Sequence, residues 1–158
     1  MQSVSILVDV QNVYYTTRQT YGCHFDYNKF WAQATKGRKV VNATAYATDR
    51  KDEKQQQFQN ILKAIGFEVK LKPYIQRADG SAKGDWDVGI ALDAIEYAED
   101  SDVIVLLSGD GDFDLLVDRI RTRKSASVEV YGVEALTAAS LRKSANRFYP
   151  IESDLLMR

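Results

Sequence analysis

Five short apolar or β-branched runs, at residues 4–10, 40–47, 67–71, 103–107 and 128–131, are separated by stretches whose apolar residues recur at helical spacing. Tyr27, Phe30 and Ala34 follow a capping residue at Asp26, and Phe58, Ile61, Leu62 and Ile65 form a stripe that stops at Gly66. Val88, Leu92 and Ile95 mark a helix after Asp85-Trp86-Asp87, while Phe113, Leu116, Val117 and Ile120 mark another after the fourth run. Residues 137–145 complete the series as a helix. Strands alternating with helices of this length build βαβ units with right-handed crossovers, so the predicted class is α/β around a parallel sheet. The fourth run is apolar throughout and therefore covered on both faces, whereas Phe67-Glu68-Val69-Lys70-Leu71 and Val128-Glu129-Val130-Tyr131 alternate, as edge strands do. A five-stranded sheet of order 3-2-1-4-5 follows. Its chain direction reverses between strands one and four, and the crevice at their carboxyl ends is the expected ligand site.

A length of 158 residues suits one domain spanning 1–158. With one histidine, His24, and one cysteine, Cys23, the chain cannot supply a histidine pair, a Cys/His zinc site or an internal disulfide. A net charge of −1 carries no global basic signature for nucleic acid. No apolar run reaches the roughly 18 residues that span a bilayer, and Pro73 and Pro150 are the only prolines, so a cytoplasmic protein with a reduced thiol and no linker is expected.

Acids gather at the expected crevice. Strand one ends in Val8-Asp9-Val10-Gln11-Asn12 and strand four in Leu107-Ser108-Gly109-Asp110-Gly111-Asp112. Asp9 interrupts an apolar central strand, where it either meets a cation or caps a helix and accepts loop N–H bonds. In the second segment the glycines permit tight turns and one acid caps the helix at Phe113, leaving the other unexplained. Asp85 and Asp87 open the helix that leads into strand four, on the same side of the sheet; one is a cap and the other, for preference Asp87, faces the crevice. Asp114 and Asp118 lie off the apolar stripe and read as a solvated face, and Asp93 beside Glu96 reads the same way. Converging carboxylates without His or Cys match Mg²⁺ or Mn²⁺, which take oxygen donors and share their shell with phosphate. The implied chemistry is phosphodiester hydrolysis by an activated water.

Three segments resemble the NYN domain family, the LabA-like branch of the PIN-like nucleases. They are Val8-Asp9-Val10-Gln11-Asn12, Lys83-Gly84-Asp85-Trp86-Asp87-Val88 continuing to Leu92-Asp93-Ala94, and Ser108-Gly109-Asp110-Gly111-Asp112-Phe113. The family often has Gly between the first Asp and Asn, where this chain has Val10-Gln11. The resemblance implies a PIN-like three-layer α/β/α sandwich and metal-dependent ribonuclease activity. It places the catalytic and metal-binding acids at Asp9, Asp87, Asp110 and Asp112, with Asn12 positioning Asp9 or a phosphate and Ser108 assisting. It gives Asp93 a supporting or outer metal role.

Substrate contacts are expected from the rim loops: Tyr14 and Tyr15 after strand one, Arg50 and Lys51 after strand two, and Tyr74, Arg77 and Lys83 after strand three. Aromatics among cations suit single-stranded RNA. The basic run Arg119, Arg121, Arg123, Lys124 falls at the opposite end of the sheet and reads as a solvated helix end. Two other readings use the same residues: a small-molecule phosphohydrolase, marked by a deep closed pocket, and a non-catalytic RNA- or protein-binding module, as a homodimer. A receiver-type phosphoacceptor domain fits less well, since no Lys follows strand five at Tyr131-Gly132-Val133.

Overall fold

The computed structural model describes residues 1–73, 75–76, 82–83 and 85–157, with the backbone alone at 75–76 and 82–83. Its central sheet has six parallel strands: β1 (Gln2–Asp9), β2 (Arg38–Asp49), β3 (Glu68–Pro73), β4 (Val103–Leu107), β5 (Ser127–Gly132) and β6 (Arg147–Pro150). They lie in the order β3-β2-β1-β4-β5-β6. The five expected strands take their expected order, and β6 is an addition that displaces β5 from the edge. The alternation in β5 misled because Glu129, its polar residue, is buried rather than wetted. Arg38 Nη1 and Nη2 donate to the Glu129 carboxylate at 2.9 and 2.6 Å, a bidentate pair that lets an acid sit inside.

Helices α1 (Val10–Tyr21), α2 (Tyr27–Thr35) and α3 (Glu53–Ile65) cover one face of the sheet. Their core brings Val13, Phe30 and Leu62 onto Ile6, Val8, Val105 and Leu107. Helices α4 (Asp87–Tyr97), α5 (Asp114–Arg119) and α6 (Ala139–Ser144) cover the other, where Ile90, Ala94, Leu116 and Leu141 meet Leu7, Ile104, Leu106 and Val130. The result is the three-layer α/β/α sandwich. Two short antiparallel pairs, His24–Phe25 with Leu156–Met157 and Ile75–Gln76 with Ala82–Lys83, lie outside the main sheet. Among the described residues no helix is long and apolar enough to cross a membrane.

Asp26 and Asp52 cap α2 and α3 by accepting from Lys29 N at 3.0 Å and Gln55 N at 2.7 Å. Such caps contribute about 0.5–2 kcal/mol each. Gly66 closes α3 with φ +137°, as its position at the end of the apolar stripe predicts.

Three expectations change. Tyr14 and Tyr15 are not in a loop, because β1 passes into α1 without one. The chain from Val10 to Arg18 is rich in Val, Thr and Tyr, mediocre helix formers that conceal the helix. Its signals are terminal: Asp9 caps the start and Gly22, at φ +67°, ends it. The helix expected over residues 137–145 contracts to Ala139–Ser144, preceded by a 3₁₀ turn at Glu134–Leu136. On α4, Val88, Leu92 and Ile95 are exposed, and Ile90 and Ala94 face the sheet instead. This helix is apolar on several sides, so periodicity identifies the helix but not its inner face.

Candidate active site

Asp9 is both the last residue of a buried strand and the N-cap of α1. Its Oδ1 accepts from Asn12 N at 3.4 Å and its Oδ2 from Ser108 Oγ at 3.1 Å. The cap reading and the crevice reading therefore describe one side chain. Burial raises its pKa above the ordinary carboxylate value; the bonds from Asn12 and Ser108 oppose that, while Asp110 and Asp85 add to it. Asn12 Oδ1 accepts from Gly109 N at 2.9 Å, which ties the first turn of α1 to the end of β4. Val10 and Gln11 are ordinary first-turn residues of α1.

Beyond β4, Ser108 is fully enclosed and its Oγ also accepts from Asp110 N at 3.2 Å. Asp110 Oδ1 accepts from Asp112 N at 2.9 Å, so Asp110 caps the 3₁₀ turn at Gly111–Phe113 and leaves Asp112 exposed. The glycines here serve packing rather than turning, since neither Gly109 nor Gly111 has positive φ. A Cβ at Gly111 would lie 2.7 Å from Ala138 Cβ, and one at Gly109 3.0 Å from Leu136 O. The segment leading into α6 thus presses the acidic loop against the rim.

The third acid arrives on α4. Trp86 Nε1 donates to Ala47 O at 2.9 Å, and the indole lies 5.4 Å from the Tyr46 ring with Lys72 Nζ 4.6 Å from its centroid. Lys72 Nζ also donates to Asp85 O at 3.1 Å, and Asp85 Oδ1 accepts from Asp87 N at 3.3 Å. Trp86, not an acid, is the N-cap residue, with no side-chain cap bond; Asp87 is in the first turn. Gly89 makes room for the indole, for a Cβ there would lie 2.7 Å from it. Composition hid these anchors, although Trp86 stands inside the acidic motif.

Carboxylate oxygens of Asp87, Asp110 and Asp112 lie within 4.8 Å of one another. Burial, then the charge of Asp110 and a hydrogen bond with it, then Asp85 and Asp9, push the Asp87 carboxyl up from 3.8 to about 7. Asp87 and Asp110 are thus close enough to share a proton, the state expected of carboxylates brought together without a counter-charge. Three carboxylates brought this close, with no nitrogen or sulfur donor among them, match the oxygen-donor preference of Mg²⁺ or Mn²⁺. Asp9 stands beside this trio, held by Ser108 and Asn12. Asp93 does not join it: its Oδ2 accepts from Lys70 Nζ at 2.8 Å and Tyr46 OH at 2.7 Å, two turns along α4.

Tyr14 and Tyr15 stand exposed on α1, and Arg50 lines the same groove as they do. Arg50 also borders, together with Lys51, a smaller recess lined by Asp49, Asp52 and Pro73, where Lys51 N donates to Asp49 Oδ1 at 2.9 Å. Tyr74, Arg77 and the Lys83 side chain lie outside the described residues.

A sandwich with acids from β1, α4 and β4 at one rim is the architecture of a nuclease-type α/β domain. The NYN domain model matches residues 3–152, and the chain belongs to that family. The low amplitude and bright protein LabA of Synechococcus elongatus is 27% identical over 154 residues, covering 92% of this chain and 81% of its own. A crystal structure of a Vibrio parahaemolyticus protein of unknown function superposes with a TM-score of 0.94 at 58% identity, covering 99% of this chain and 96% of that one.

Proposed function

We propose that this protein is a divalent-metal-dependent ribonuclease whose acids at the carboxyl rim of the sheet hydrolyse RNA phosphodiesters. The observation that carries this is the convergence of Asp87, Asp110 and Asp112 within 4.8 Å beside Asp9, in a chain of the NYN family. Asp9, Asp87, Asp110 and Asp112 would hold Mg²⁺ or Mn²⁺, which when bound lowers the pKa of a water and stabilises charge on the phosphate. The chain's own contribution is rigidity. Ser108 and Asn12 fix Asp9, the Asp110 carboxylate anchors the turn that presents Asp112, and Trp86 sets the start of α4 that carries Asp87. Acids fixed in this way need not reorganise as charge develops on the phosphate.

A labelled unstructured RNA should be cut in Mn²⁺ or Mg²⁺ and not in excess EDTA, with Asp110→Asn losing at least about 100-fold in rate. If no RNA in a varied panel is cut with either metal, or Asp110→Asn cuts equally well, the proposal is wrong. Rapid turnover of a small phosphomonoester in place of RNA would favour the phosphohydrolase reading instead.

A further inference from the structure

A groove of about 1160 Å³ opens beside Asp9, between α1 and α3. Its inner wall begins at Val10 and Gln11, directly after Asp9, and at Ala47, the residue whose carbonyl holds Trp86. The volume exceeds the roughly 300–1,000 Å³ typical of a pocket for one small molecule. Arg18, Arg50 and Lys54 line it against a single acid, Asp26, which already caps α2. A chain with net charge −1 thus brings three cations to this groove, Arg18 from α1 and Arg50 and Lys54 from the α3 side.

Its aromatic residues are arranged in advance. Tyr14 is 41% exposed, yet Arg18 Nη1 donates to its hydroxyl at 2.6 Å and the guanidinium lies 5.8 Å from its ring centroid. Tyr15 packs edge-on against it at 5.3 Å, and the His24 ring lies 6.1 Å away, tilted by 30°. A ring held this way, part of it open to solvent, meets a base without further loss of side-chain freedom on binding. Phe58, Ile61 and Met157 continue the apolar wall.

We infer that this groove binds the single-stranded stretch of RNA adjoining the cut phosphodiester, with bases stacked at Tyr14 and Tyr15 and phosphates met by Arg18, Arg50 and Lys54. The inference rests on the ribonuclease reading for its ligand and strand state and adds to it the site that holds the strand. Stacking on aromatic side chains tolerates any base, so the groove selects for unpaired RNA rather than for a sequence.

The test is fluorescence anisotropy with an end-labelled, unstructured RNA of about 12 nucleotides and its duplex, in Mg²⁺, with Asp110→Asn as the parent so that the probe survives. Tyr14→Ala and Lys54→Glu should each weaken single-strand binding at least about fivefold, with thermal stability unchanged. Lys63→Glu, the same charge change on the same helix away from the groove, should not. In the unaltered protein, Tyr14→Ala should raise KM for RNA cleavage and leave kcat within about twofold.

Equal binding by the groove variants, equal binding of duplex, or an equal effect of Lys63→Glu would overturn the inference. So would a concentration-dependent dimer that Tyr14→Ala dissociates, since a second copy would then fill the groove. Metal-dependent cutting that the groove variants leave untouched removes the groove alone. Groove-dependent binding by a protein that cuts nothing removes the ribonuclease reading alone.

Discussion

Among single residues, Asp87 carries the clearest electrostatic signature. Its folded pKa near 7 lies above the unfolded 3.8, so between these values the folded protein keeps a proton that the unfolded chain has released. Without metal, its contribution to stability therefore falls as pH rises from about 4 to about 7 and is level above that. Thermal melts in EDTA across this range should show the decline, and Asp87→Asn should flatten it and raise the melting temperature at neutral pH. A variant that melts lower with the slope retained would contradict the shift. Gly132 makes a second prediction, for a Cβ there would lie 2.5 Å from Thr137 Oγ1, a contact that must give way. Gly132→Ala should destabilise by about 1–3 kcal/mol in denaturant unfolding, with far-UV circular dichroism unchanged.

At the level of elements, the half-buried Arg38 and the buried Glu129 pair to join the start of β2 to β5, and Arg38 also donates to Ala34 O at 3.2 Å. Removing one partner strands the other charge, so Arg38→Ala should cost about 3–5 kcal/mol, whereas Lys124→Ala, at the exposed pair with Glu99, should cost under about 1. Equal losses in chemical unfolding would refute the distinction. The same pair shows where sequence patterning stops. Apolar runs betrayed five strands because burial on one or two faces leaves a mark in the residues themselves, but the alternation that put β5 at an edge came from a buried acid. Glu129 looks like a solvent-facing position until its partner, 91 residues away, is known. The acids at Asp9, Asp87, Asp110 and Asp112 were legible because they stand at strand and helix ends in short motifs. The anchor between Trp86 and Ala47 was not, since it spans 39 residues and leaves no local period. The ion pair of Asp93 was hidden for the same reason, its partner Lys70 lying on β3.

Across the whole molecule, the switch between β1 and β4 in the direction in which strands are added to the sheet explains why distant acids meet. β1 ends at Asp9, β4 at the Ser108 loop, and α4 begins at the same rim, so the topology delivers three segments to one crevice whatever the loops contain. The absence of a histidine pair, visible in composition, becomes informative here, because among the described residues the donors that converge are carboxylate oxygens. Family membership and the carboxylate cluster meet in one claim, that these acids together hold a divalent cation. Calorimetric titration of the purified protein with Mn²⁺ tests it most directly. Saturable binding is predicted, tightening as pH rises through 7 while Asp87 gives up its proton, and weakened at least about tenfold by Asp110→Asn or Asp87→Asn. Absence of saturable binding, or equal affinity in both variants, would contradict the account.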